Sequence, residues 1–370
     1  MKKTLIYIIS AFLLTACVYP FEADIDSSAN KEVVIDANIL LGNKSTVKLY
    51  YLQPLDPGST QHNYGYPSGT VYLTDEGGTT YPAIGSTGNF TLNVPANVQG
   101  KLKLTVIVDG NTYVSEWVES VAPPVIKDVR FTADESNVKV LLSMEDDGSG
   151  SGYAALQYNE IWKFHTDYVR NHDYNFQSNS VFMLQNPADY HYWCWAKKTF
   201  LSQKLIDYTY LDGKVQDYVA VSFPRSDSRN HAEYNVLIKL WNLTPEQYKY
   251  RKMLEENASI GGNLFSPEPG EIRGNVYCEN NPEVSVYGYV NIARVTTITK
   301  TLPSTYSTWQ PKYNLLELDS ESWHTYYGKG YMPITEIVSQ IGNGTVIGWG
   351  EERCWDCIAA GGTLNKPDFD

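Results

Sequence analysis

The stretch K-L-K-L-T-V-I-V-D-G-N-T-Y-V-S-E-W, Lys101 to Trp117, decides the fold class. Leu102, Leu104, Val106 and Val108 share one parity, so an extended backbone places all four on one face. Asp109-Gly110 follows, a pair suited to the left-handed angles of a two-residue hairpin turn, and the chain returns through Tyr113 to Trp117. Outward from this hairpin the same period recurs. Val33, Ile35, Ala37 and Ile39 alternate in the same way, while Glu76-Gly77-Gly78 and Gly85 to Asn89 supply further turns. Short strands at this spacing with no helix-period segment predict an Ig-like or prealbumin-like β-sandwich over residues 32–124. Pro123-Pro124 ends it, and strand-like Val125 to Ser143 opens a larger β-rich domain, residues 125–370. One well-capped helix is expected there, near 245–260. Thr244 is its N-cap, Pro245 stands at the first helical position and Gln247 reaches back in a capping box. Tyr250, Met253, Leu254 and Asn257 continue at helical spacing until Gly261-Gly262 stops it.

The N-terminus sets the compartment. Residues 1–17 read M-K-K-T-L-I-Y-I-I-S-A-F-L-L-T-A-C: a positive start, an apolar run too short to span a bilayer, and small residues before a cysteine. Leu14-Thr15-Ala16-Cys17 matches a lipobox, so Cys17 is the expected lipid-attachment residue and residues 18–31 the tether. Val18 follows where an aspartate would favour retention at the inner membrane. The expected location is therefore the outer membrane, with the cell-surface face favoured over the periplasmic one. The net charge of −13 opposes nucleic acid and anionic headgroups as direct partners, leaving the acyl chains to hold the protein at the membrane.

No catalytic signature stands in the chain: there is no G-x-S-x-G, no H-E-x-x-H and no phosphate-binding glycine loop. His165 and His172 are seven residues apart, and His191 lies three before Cys194 without a second ligand pair at metal spacing. No metal, cofactor or enzymatic activity is expected. The alternative is a surface hydrolase whose two carboxylates lie far apart in sequence. The 29 tyrosines and nine tryptophans fit β-sheet packing first and a peptide- or glycan-binding platform second. Tyr158, Trp162, Tyr168, Tyr174, Tyr190 and Tyr192 crowd one stretch and are the candidate partner- or ligand-binding aromatics.

Cys194, Cys278, Cys354 and Cys357 remain after Cys17. In an exported protein they read as disulfides, and four cysteines allow three pairings that sequence does not choose between. The expectation is a Cys354–Cys357 staple on the C-terminal tail, with Cys194–Cys278 as second pair.

The chain resembles the outer-membrane lipoproteins of Bacteroides-type bacteria grouped as domain of unknown function 4249. Trp193-Cys194-Trp195, the run Leu243 to Tyr250 leading into Gly261-Gly262-Asn263-Leu264-Phe265-Ser266-Pro267-Glu268-Pro269, and Arg273-Gly274-Asn275-Val276 with Gly288-Tyr289 carry the likeness. So do Cys354-Trp355-Asp356-Cys357, Gly361-Gly362-Thr363 and Lys366-Pro367-Asp368-Phe369; Asp370 stands where the family often ends in tryptophan. The resemblance implies an accessory lipoprotein that works beside a TonB-dependent receptor-like barrel in nutrient uptake or in outer-membrane assembly or export, with no catalytic residues to carry over.

Overall fold

Alternating strands in the first hundred residues fold as two facing sheets. In the computed structural model, which describes residues 32–52, 65–146, 148, 150–186, 191–200, 202–259, 274–303 and 306–369, the chain is mainly β. Cys17, the tether, Tyr190 and the run 260–273 lie outside the described residues. No helix among those described is long and apolar enough to cross a membrane.

One sheet of the first sandwich has the order Val286–Arg294, Val33–Leu41, Lys44–Tyr51, Asn89–Asn93. The other runs Val276–Cys278, Asn111–Ser115, Lys101–Val108, Gly69–Asp75, Thr80–Pro82, with Val118–Glu119 beside Lys101–Val108. Their inward faces make one core: Ile35, Ala37 and Ile39 meet Leu102, Leu104 and Val106, as the parity predicts. The hairpin turn is also as read, since Val108 pairs with Asn111 and both Asp109 and Gly110 have positive φ.

Two of these ten strands come from far along the chain. The partition at residue 124 assigns residues 276–294 to the C-terminal domain, but in the structure their strands complete the first sandwich. Val286–Arg294 pairs in parallel with Val33–Leu41, Val33 opposite Val286 and Leu41 opposite Arg294. Parallel pairing requires a crossover, and here the connection runs through the rest of the first sandwich and every strand of the second except Thr296–Pro303. Asn275 anchors the return: its side-chain amide donates to the Val290 carbonyl at 2.9 Å and accepts the Val290 N–H at 2.8 Å, imitating a neighbouring strand.

The second sandwich packs the sheet Lys214–Pro224, Asn137–Glu145, Val125–Ala133 against the sheet Trp193–Thr199, Tyr153–His165, Glu233–Asn242, Thr296–Pro303, with Lys204–Asp207 on the Tyr153 end. Val138, Val140 and Leu142 face Leu156, Val236 and Ile238 in its core. A smaller core of Leu40, Ala293, Ala155, Trp241 and Leu243 joins the two sandwiches. The helix Pro245–Ser259 braces this junction. Tyr248 stacks on Tyr153 of the second sandwich at 4.2 Å, and Tyr250 lies against Tyr289 of the first at 4.7 Å. Its capping box is reciprocal: the Thr244 N–H donates to Gln247 Oε1 at 2.8 Å and the Gln247 N–H to Thr244 Oγ1 at 3.3 Å. The expected single helix has a short companion, Trp323–Tyr327, beside a three-stranded sheet of Leu316–Glu317, Thr345–Glu351 and Tyr331–Val338.

Candidate ligand site

The strand Tyr153–His165 runs through the second sandwich and delivers Trp162, Phe164 and His165 at its far end. Strand Trp193–Thr199 pairs beside it with Trp193 opposite His165 and Cys194 opposite Phe164. On the other flank, Glu233–Asn242 places Tyr234 opposite Trp162, and the turn Ser228–Asn230 that precedes it brings His231 back over His165. The C-terminal segments then close over this end of the sheet with Trp309, Lys312, Tyr313, Arg353 and the turn 359–361. Together they line a half-open cavity of about 420 Å³.

A stack of rings centred on His165 supports it, of which His165, His231 and Trp309 reach the lining. Tyr192 lies on one side of His165 with centroids 5.0 Å apart, and His231 stacks at 4.2 Å; Trp193 and Trp309 meet His165 edge-on at 4.9 and 4.8 Å. His231 Nδ1 accepts the His165 backbone N–H at 3.3 Å, so the neutral ring carries its proton on Nε2. That Nε2, like Trp309 Nε1, is buried without a hydrogen-bond partner. Burial, then the neighbouring His165 ring, lowers the His231 pKa to about 4. His231 is therefore neutral at pH 7.

An ion-pair cluster holds the turn in place. Asp227 accepts the Arg229 N–H at 2.9 Å, and the Arg229 guanidinium binds Asp227 through Nε at 3.0 Å and Nη2 at 3.1 Å. Nη1 reaches the wholly buried Glu160 at 3.0 Å, and the same carboxylate oxygen accepts the Tyr234 hydroxyl at 2.7 Å. Burial opposes the charge on Arg229, but the hydrogen bonds with Asp227 and the Glu160 charge outweigh it and raise its pKa. Asp167 is the carboxylate in the cavity lining, and its Oδ2 accepts the backbone N–H groups of Lys312 and Tyr313 at 2.6 and 2.9 Å.

A disulfide ties the C-terminal wall to the sheet, and its pairing corrects the expectation. Cys194 bonds Cys357, while Cys278 and Cys354 are free thiols. Neither Cys354–Cys357 nor Cys194–Cys278 forms, because the members of each expected pair enter different cores. Cys278 is packed in the first sandwich, Cys354 lies with Leu315, Ile334 and Trp355, and only Cys357 turns towards Phe164 and Cys194. The tail is nevertheless stapled as anticipated, through Cys194. The Cys357 N–H donates to the His191 carbonyl, and Trp195 and Thr363 exchange backbone hydrogen bonds at 2.7 and 2.8 Å. Burial pushes the Cys354 thiol up to about 11, leaving it protonated and inert.

The tyrosine-rich stretch does not form one exposed face. Trp162 lines the cavity and Tyr192 belongs to its ring stack, but Tyr158 packs on Phe200 and the second sandwich. Tyr168 donates its hydroxyl to the Tyr313 carbonyl at 2.7 Å, and Tyr174 is buried among Trp323, Tyr327 and Trp349. His191 lies 3.2 Å from Asp356, and among the described residues no three metal-ligating side chains converge. Sequence reasoning missed His231, Trp309, Lys312 and Arg353. No sequence signal marks them; His231 meets His165 only once Glu233–Asn242 has paired with Tyr153–His165.

Two packed β-sandwiches are thus joined by a helical brace, with a ring-lined cavity at the far end of the second. The chain belongs to the family described as Domain of unknown function (DUF4249), which it matches over residues 18–299. No curated protein matches it. The matched span carries His165 and His231; Trp309, Lys312 and Arg353 come from beyond it.

Proposed function

We propose that the protein is a lipid-anchored outer-membrane accessory and binding protein, the non-catalytic partner of a TonB-dependent receptor-like barrel in nutrient uptake or in outer-membrane assembly or export. The observation that carries this reading is the Leu14-Thr15-Ala16-Cys17 box ahead of a short polar tether and a folded two-sandwich body. A lipid at Cys17 concentrates the body in the plane where such a barrel sits, so a modest interface suffices. The acidic net charge disfavours adhesion to anionic headgroups and leaves protein or ligand as the partner. The cavity supports a binding role. Rings and cations build its wall, and its one carboxylate is held by two backbone N–H groups.

Gentle crosslinking in native membranes, followed by purification in mild detergent, tests the partnership. A co-purifying barrel is the expected result, and recovery of a lone species overturns it. The anchor has its own test. Cys17→Ala should move the protein from the membrane to the soluble fraction, and an unmodified Cys17 by intact mass of native material would exclude the lipid.

A further inference from the structure

The hairpin of strands Tyr331–Val338 and Thr345–Glu351 carries at its tip the one Asn-Gly pair in the sequence, Asn343-Gly344. Such a pair cyclises without an enzyme when its groups are free. The backbone nitrogen of the second residue attacks the asparagine side-chain carbon, and glycine favours the attack because it has no Cβ to crowd it. A fold suppresses the reaction by tying down either group, so the local hydrogen bonds decide whether it runs.

At this tip neither group is tied. Val338 pairs with Thr345, and just beyond them the Ser339 N–H donates to the Gly344 carbonyl at 3.0 Å. The turn is otherwise pinned at its start. Ser339 Oγ accepts the N–H groups of Ile341 and Gly342 at 3.3 and 2.8 Å and donates to Glu317 Oε1, while Glu317 Oε2 takes the Gln340 N–H, both at 2.7 Å. Among the described residues no hydrogen bond engages the Gly344 N–H or the Asn343 side chain. Both residues are exposed, and a Cβ built on Gly344 would meet nothing within 4 Å, so the ring has room to form and water to reach it. Asn179, which precedes Ser180 in the turn after His172–Asn175, is in the opposite state. Its Oδ1 accepts the Tyr174 hydroxyl at 2.8 Å and its Nδ2 donates to the Ser320 carbonyl at 3.1 Å, so its side chain is held at both ends.

We infer that Asn343 is a modification site, converted by non-enzymatic deamidation. The Gly344 nitrogen loses its proton and bonds to Asn343 Cγ, and the side-chain nitrogen leaves as ammonia. Water then opens the succinimide at either carbonyl to give aspartate or isoaspartate. Asparagine and water thus become acid and ammonia, with no oxidant, metal or cofactor. The product puts a carboxylate on a turn whose residues 339–345 carry no charge, beside Ile341, which is 86 % exposed. Isoaspartate also lengthens the backbone where Ser339 meets Gly344. The tip therefore changes, as the protein ages, from neutral and apolar to anionic.

The test is timed incubation of the full mature chain in mild detergent at neutral and mildly alkaline pH, read by peptide mapping and by isoaspartyl methyltransferase labelling. A synthetic peptide of residues 337–347 under the same conditions gives the rate without the fold. The expected result is conversion at Asn343 within about tenfold of the peptide rate, because an exposed turn opens at little cost. The reaction should quicken with pH, since the attacking nitrogen must lose its proton, and Asn179 should stay intact over the same period. Asn343→Gln should remove both signals at this position and leave the urea midpoint unchanged. An intact Asn343 while the peptide converts, or conversion of Asn179 as fast as Asn343, would each overturn the assignment.

Discussion

Glu160 is the residue on which the second sandwich takes its largest electrostatic risk. It is fully buried, and one oxygen is held by Arg229 and Tyr234 while the other has no partner. Removing one member of a buried pair costs more than the pair contributes, because the surviving charge is left without compensation. Arg229→Ala should therefore lower the unfolding free energy by about 3–5 kcal/mol, and Glu160→Gln by clearly less, as read by urea denaturation. Arg229 also packs over the Phe223 ring at 4.5 Å, so some of its loss will be contact rather than charge. His231 gives a pH signature with the opposite dependence on charge. Its folded pKa is lowered to about 4, by burial first and His165 second, whereas the unfolded ring takes up a proton near 6.5. The unfolded state thus binds more protons between these values, so the stability is whole above about pH 6.5 and declines as pH falls towards 4. His231→Phe should flatten that limb of the stability–pH curve relative to the parent; parallel curves would mean the imidazole does not titrate as its surroundings dictate. Neither residue was legible in sequence. Glu160 and His231 sit among ordinary strand and turn residues, and their importance arises only when a turn and a strand some seventy residues apart are folded together.

At the level of elements, legibility follows the range of the interaction. The capping box Thr244–Gln247 and the Asp109-Gly110 turn are local devices, and both stand where the residue pattern puts them. Thr244→Ala should cost about 1 kcal/mol, most clearly as lost hydrogen-exchange protection in the helix 245–259. The parallel pairing of Val286–Arg294 with Val33–Leu41 could not be read locally, since either strand could pair with any partner of matching alternation. One residue betrays it. Gly288 has φ +111°, and a Cβ there would fall 1.9 Å from the Ile35 carbonyl oxygen. No side chain fits between those backbones. Gly288→Ala should strain the pairing by upwards of about 2 kcal/mol and raise exchange at Ile35 and its neighbours; a variant of parental stability would show that the strand separates at little cost. The C-x-x-C misled for the converse reason. Its spacing is a local signal, but the short 3-10 turn Glu352–Cys354 sends the two side chains into separate cores, so the long-range partner wins.

Across the whole molecule, the C-terminal segment is an attached wall rather than a continuation of either sandwich, and its attachment governs the cavity. It reaches back to strand Trp193–Thr199 through the disulfide, the Trp195–Thr363 pairing, and the Lys197 amine on the Asp368 carbonyl at 2.8 Å. Gly362 packs so closely that a Cβ there would lie 2.4 Å from the Cβ of Cys194. The bond closes a loop with a sequence separation of 163, for which loop entropy alone gives a ceiling of about 5 kcal/mol. The realised value should be smaller, because the strands inside the loop constrain the chain even when it is reduced. Replacing both cysteines by serine should therefore leave the two sandwich cores folded while the segment 357–369 loses exchange protection and the ring-lined cavity loses its far wall. Non-reducing peptide mapping checks the premise directly. One linked pair, Cys194 with Cys357, should appear, with Cys278 and Cys354 alkylated only after denaturation because both thiols are buried. A Cys354–Cys357 link in folded material would instead detach the wall from the sheet, and the cavity and every contribution assigned to it would go with that bond.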